Sequence, residues 1–132
     1  MCPDTKVLLA YVKSELFFAA ICYYIKINPK PITAMAKKIA EQLIDTLVKS
    51  GVERIYAVTG DSLNEVNEAV RKNDQIKWIH VRHEETGAYA AAAEAQLTGR
   101  PGCCAGSSGP GHVHLINGLY DAHRSGAPVI AI

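Results

Sequence analysis

Apolar positions along this chain follow a helical period in some stretches and form short unbroken runs in others, and turn signals separate the two. Ile39, Leu43 and Leu47, with Ile44 and Val48, recur at helical spacing. That spacing predicts an amphipathic helix over Ala36 to Ser50, with Gly51 ending it. RIYAV, Arg54 to Val58, reads as a short buried strand bounded by Thr59-Gly60. Asp61 or Ser62 is placed to cap a second helix running to about Lys72, and Asn73-Asp74 makes a turn. IKWIHV, Ile76 to Val81, is the next strand, and Glu84 to Leu97 the next long helix, closed by Thr98-Gly99. A third strand follows over Cys103 to Gly106. A loop, Ser107 to His112, then leads to a helix from about His114 to His123, closed by Ser125-Gly126. APVIAI, Ala127 to Ile132, is a fourth buried strand.

Helix and strand thus alternate four times with short connections. This predicts an α/β fold of three layers: a mostly parallel sheet with helices on both faces, joined by right-handed crossovers. The chain has 132 residues, of which 48% are hydrophobic and 20% charged. That is enough for one domain with a real core. A net charge of +1 gives no footprint for nucleic acid and no polybasic membrane surface. The four cysteines, Cys2, Cys22, Cys103 and Cys104, make no CxxC pair and no Cys/His array with zinc spacing. They read as small apolar residues in a reducing cytosol, with Cys103 and Cys104 on opposite faces of their strand. Met1 to Ala34 differs in composition from the rest. Its apolar run, Val7 to Ile27, is broken by Lys13, Glu15 and Lys26, whereas a membrane span wants about 20 mostly apolar residues. It reads as an extension, either an amphipathic helix up to the breaker Asn28 to Pro31 or a poorly ordered segment, with Met35 as a second possible start.

In parallel α/β sheets ligands bind beyond the carboxyl ends of the strands. Three features fall there: Thr59-Gly60-Asp61, His83-Glu84-Glu85, and Ser107 to Gly111. The glycine-rich loop could cradle an anion at a helix N-terminus, but Pro110 breaks the dinucleotide pattern and no P-loop lysine follows. Taken alone, the pattern favours a tight turn with proline in the first helical turn. Acids such as Glu84 and Glu85 are favoured by the helix dipole at this position. A chemical role would need one of them in a dry cleft, where its pKa rises and it exchanges a proton with a ligand nitrogen. His83 beside Glu84 could relay a proton or make a local hydrogen bond. His112, His114 and His123 share no helical face with an acid, so no metal ligands are assigned. Six alanines between Ala88 and Ala95 allow close packing against another surface without identifying it.

Together, YAVTGDSLN (Tyr56 to Asn64), VRHEETGAYAAAAEAQLTGRPG (Val81 to Gly102) and GSSGPGHVHLINGLYDAHRSGAPVIAI (Gly106 to Ile132) resemble the N-terminal, pyrimidine-binding domain of the thiamine-diphosphate-dependent enzymes. The wording is most similar to the pyruvate oxidase and quinone-linked pyruvate dehydrogenase branch. The resemblance covers Met35 to Ile132 and leaves Met1 to Ala34 without a counterpart. It implies a role for Glu84: its carboxyl group would hydrogen-bond the pyrimidine ring nitrogen and promote the imino form that activates the thiazolium carbon, so that a 2-oxo acid such as pyruvate is attacked and decarboxylated. Glu85 is then an ordinary helix-start acid. The resemblance further places Thr59 and Gly60 along the pyrimidine ring, Ser107, Pro110 and Gly111 in a loop near the cofactor, and His114 near the reacting centre. It implies a cytoplasmic homo-oligomer, at least a dimer, with the active site between two subunits.

The family's subunit is several times longer. It holds flavin (FAD) in a middle domain and the diphosphate, through magnesium, in a C-terminal domain marked by GDG and a later NN pair. Gly60-Asp61-Ser62 only superficially resembles that start, and no NN pair follows. These 132 residues alone are therefore expected to supply the pyrimidine half of the site, without diphosphate, metal, flavin or turnover. A sheet edge left open would favour aggregation. An acetolactate synthase-like domain and a non-catalytic interaction module are the rival readings.

Overall fold

The computed structural model describes residues 36–132. The expected extension, residues 1–34, lies outside them. Four strands, β1 (Arg54–Ala57), β2 (Lys77–His80), β3 (Gly102–Ala105) and β4 (Val129–Ala131), form one sheet in the order β2-β1-β3-β4. Every pairing is parallel, with Ile55 opposite both Trp78 and Cys103, and Cys103 opposite Ile130. The helices are α1 (Ile39–Lys49), α2 (Asn64–Arg71), α3 (Glu84–Thr98), α4 (Pro110–His114) and α5 (Ile116–Ser125). The fold is thus the expected α/β sheet layered by helices.

One layer packs Ile44 and Leu47 of α1 and Ala69 and Val70 of α2 over Ile55, Ala57, Cys103 and Ala105. The other packs Ala88 and Ala91 of α3 with Leu115 over Cys104, joined by Tyr56, Leu119 and Val129. The period-2 alternation of β3 divides its two cysteines between these layers, as expected of a strand buried on both faces. The surface that the alanines of α3 were built for is the sheet itself. A Cβ on Gly102 would lie 2.1 Å from the Ala91 carbonyl oxygen, and one on Gly87 2.9 Å from that of Tyr56. On its other side α3 meets α5, where a Cβ on Gly118 would lie 2.5 Å from that of Ala88.

Several boundaries differ from the pattern-based ones. The first helix begins at Ile39 rather than Ala36, because Lys38 is extended (ψ 148°) and offers no side-chain cap. Ile39 is 86% exposed among the described residues. Neither Asp61 nor Ser62 caps the second helix. Asp61–Leu63 forms a turn of 3₁₀ helix, and α2 starts only at Asn64. β1, β2 and β4 are shorter than their apolar runs, and β3 keeps its length but lies one residue earlier than expected, at Gly102–Ala105. β2 and β4 are sheet edges, so their burial is partial and not complete as expected for Ala127 to Ile132. The helix expected from His114 begins at Pro110 and breaks at Leu115. Proline suits a first helical position because it lacks the N–H that would go unsatisfied there. Gly99 and Gly126 end α3 and α5 in the left-handed conformation, at φ 69° and 68°. No helix among the described residues is long and apolar enough to cross a membrane.

Candidate functional site

From β1 the chain moves to β2 on one side and then crosses to β3 on the other, so the sheet's topological switch point lies between β1 and β3. Loops that leave two such strands in opposite directions open a crevice at their carboxyl ends. Gly60 follows β1 and Ser107 follows β3, and they meet there: a Cβ on Gly60 would lie 2.5 Å from the Ser107 side chain. Ser62 Oγ is 3.1 Å from Ser107 Oγ and accepts the Ser108 backbone N–H at 2.9 Å. A residue read as a helix cap therefore ties the two loops together.

Glu84 enters from the side, as the first residue of α3. Its side chain is 13% exposed. One carboxylate oxygen accepts from His114 Nδ1 at 3.0 Å, with the tautomer that protonates that nitrogen. The other faces Gly111, where a Cβ would stand 3.0 Å from it. Gly111 also backs onto Ser107, 3.4 Å from its Cβ by the same measure. Gly60, Ser107, Gly111, Glu84 and His114 thus form one continuous chain of contacts. Thr59 and Pro110 flank it, both exposed.

Burial pushes the Glu84 carboxyl up. Hydrogen bonds from its own backbone N–H and from His114, with the charges of His114 and His83, outweigh burial and hold it below the ordinary carboxylate range. The raised pKa that a dry cleft would give is therefore not what this carboxyl has. The helix N-terminus and two imidazoles surround the group, and they favour its ionised form. His83 caps α3, its Nδ1 accepting the Glu85 N–H at 3.3 Å. Of the two readings offered for His83, the local hydrogen bond is therefore present. His83 also stacks on His114, ring centroids 4.5 Å apart. Glu85 is tied outward, accepting from Asn117 Nδ2 at 3.1 Å.

Sequence reasoning missed the grouping of His83, Glu84 and His114, whose donor atoms lie within 4.8 Å of one another. His114 is 30 residues from Glu84, and no local spacing signals that approach. His112, grouped with His114 in the sequence, instead reaches the Gly106 carbonyl through Nδ1 at 3.3 Å.

A carboxylate at a switch-point crevice, backed by glycines and a helix N-terminus, defines a cofactor-binding α/β domain. Residues 37–132 match the family of thiamine pyrophosphate enzymes, N-terminal TPP binding domain, and the chain belongs to that family. It is 58% identical over 95 residues to an uncharacterized 42.6 kDa protein of Pseudomonas amyloderamosa, covering 72% of this chain and 24% of that one. It is 50% identical over 91 residues to the pyruvate oxidase of Lactiplantibacillus plantarum, covering 68% and 15%. It is 36% identical over 96 residues to the chloroplastic acetolactate synthase 3 of Brassica napus, covering 73% and 15%. The chain spans a quarter or less of the length of each.

Proposed function

We propose that residues 37–132 supply the pyrimidine half of a thiamine diphosphate site in an enzyme that oxidatively decarboxylates pyruvate. The observation that carries this reading is the nearly buried Glu84 carboxylate in contact with Gly111 beside the switch-point crevice. The donor set fits the group. A carboxyl can hold a proton against a ring nitrogen, while Gly60 and Gly111, lacking side chains, let the loops after β1 and β3 close on Ser107 and on the Glu84 carboxylate. When bound, the cofactor supplies a carbon nucleophile that attacks the keto carbon of a 2-oxo acid.

The residues of this chain do the rest. Glu84 holds and releases a proton at its carboxylate oxygen. His114 keeps that carboxylate oriented. The Ser62–Ser107 bridge holds the loops after β1 and β3 at a fixed separation. In the domain alone Glu84 is ionised at neutral pH, an acceptor without a proton to donate. A second domain closing over the crevice would remove water, and desolvation would raise the Glu84 pKa towards the protonated, donating form. This supports a site completed between chains, as a homodimer or larger. Magnesium and flavin belong to parts of the enzyme beyond these residues. Tyr89, Ile116 and Tyr120, exposed on α3 and α5, suit a surface that another subunit covers.

Higher identity to pyruvate oxidase than to acetolactate synthase favours oxidation of pyruvate over its condensation to acetolactate. The test uses the intact enzyme that carries this domain, with pyruvate, thiamine diphosphate and magnesium. Glu84→Gln is expected to lower kcat by about two orders of magnitude or more, the scale of acid–base catalysis, with the thermal midpoint unchanged. Near-normal turnover would sink the role given to Glu84. Acetolactate, in place of acetate or acetyl phosphate, would move the assignment to the other branch.

A further inference from the structure

We propose that His83, Glu84 and His114 form a binding site for a borderline divalent transition metal, zinc in the first instance. The three residues offer two imidazole nitrogens and one carboxylate oxygen, all within 4.8 Å of one another. Four-coordinate zinc, with bonds of about 2.0–2.2 Å, places its ligand atoms roughly 3.4 Å apart. The Glu84–His114 pair, at 3.0 Å, is already close enough, but His114 must give up the Nδ1 proton it donates to Glu84 and turn so that the freed lone pair meets the metal. The His83 ring must move in by up to about 1.4 Å and turn out of its stack on His114, because ring lone pairs lie in the ring plane, and with its side chain 49% exposed it has room to do so. Three protein ligands leave a fourth position for water or a further ligand. Two nitrogens and one oxygen select zinc, cobalt or copper over magnesium and calcium, which prefer all-oxygen sites.

Three effects oppose binding. The metal displaces the Nδ1 proton of His114 and ends its hydrogen bond to Glu84, which the two new metal bonds must outweigh. Coordination through either ring nitrogen of His83 ends its acceptance of the Glu85 N–H, since one mode uses the Nδ1 lone pair and the other protonates Nδ1. That hydrogen bond is long, at 3.3 Å, and therefore weak. The N-terminus of α3 carries a partial positive charge of about half a unit, which disfavours a cation. Glu84 carries a full negative charge closer to the metal, so attraction wins. No Lys or Arg among the described residues pairs with Glu84 to compete.

A metal held here would take up the carboxylate that the proposed proton exchange requires and would block the crevice to the pyrimidine ring. That consequence rests on the function proposed above, whereas the metal site does not. The test is therefore metal binding itself. Zinc is titrated into the whole 132-residue chain in a Cys2→Ser/Cys22→Ser background, with cobalt as the spectroscopic probe. One equivalent is expected to bind with micromolar affinity, with a visible ligand-field spectrum and no thiolate charge-transfer band. His114→Ala, His83→Ala and Glu84→Gln should each weaken binding at least about tenfold, the loss typical even of outer-shell changes. His123→Ala should leave it unchanged, and circular dichroism melts should establish that every variant is folded. Absence of binding up to millimolar zinc would overturn the site. So would binding that survives Glu84→Gln and His114→Ala, or a cobalt spectrum showing sulfur ligands. Glu84→Gln turnover in the intact enzyme reads the catalytic role separately, so either reading can fail alone.

Discussion

Cys103 and Cys104 are adjacent in the chain and belong to different layers of the core, fully buried on each side of β3. Burial, with the neighbouring Cys104 adding to it, pushes the Cys103 thiol up to about 12, and burial alone pushes Cys104 up to about 11. The thiolate is the reactive form, so neither residue has a nucleophile to offer near neutral pH. Iodoacetamide should leave both unmodified in the folded protein and modify both in denaturant, as read by peptide mass mapping. Rapid labelling of either in the native state would contradict their packing. This assignment was legible from sequence, because strand alternation and the absence of metal spacing each bear on a single residue. The charge state of Glu84 was not. It depends on His114, which nothing near Glu84 in the chain announces.

At the level of elements, α3 shows why composition can state a need without stating its object. Small residues let a helix axis approach its neighbours closely, and here it approaches on two sides, over Gly102 in β3 and against Gly118 in α5. Gly118→Ala decides between two effects. Helix propensity favours alanine by about 1 kcal/mol. The added methyl would overlap Ala88 Cβ at 2.5 Å and the Tyr89 amide nitrogen at 2.9 Å, and overpacking of that kind costs about 1–3 kcal/mol. A net loss of about 1 kcal/mol is expected in urea denaturation, and a gain would mean that α5 shifts freely on α3. Element order and type were readable because the hydrophobic period switches cleanly between helix and strand. The ends were not, where backbone geometry overrides side-chain preference. Ser62 has the chemistry of a cap, yet its oxygen bonds Ser107 and the Ser108 amide. The Gly-Pro-Gly run reads as loop, yet Pro110 opens a helix.

Over the whole molecule, acid should unfold this domain through carboxylates that the folded state keeps ionised. The Arg71 hydrogen bond, joined by the charge of Arg71 and by Lys72, outweighs desolvation and holds Glu68 down at about 2, against an ordinary 4.5. Glu84 is depressed too. A carboxyl whose folded pKa lies below its unfolded one contributes stability that is complete above the unfolded value and is lost as pH falls through the folded value. The urea midpoint should therefore hold above about pH 5 and decline steadily towards pH 2. Glu68→Gln should flatten part of that decline, and the flattening should shrink in high salt, because the pair is solvent-exposed. A midpoint insensitive to acid would rule this account out. The parallel α/β class was legible at this scale from alternation alone. The strand order β2-β1-β3-β4, and with it the switch point, was not, because it depends on which edges pair in space.

The polar contacts that join the loops around the crevice connect residues 30, 45 and 46 positions apart. A folding chain must close loops of that length before these contacts return anything, so they are expected to form after the local helices and behind the rate-limiting barrier. Changes to Ser62, Ser107 or His114 should then speed unfolding and leave the folding rate nearly untouched. A nascent or partly unfolded copy would carry its helices but no assembled crevice, which makes the crevice itself a marker of completed folding.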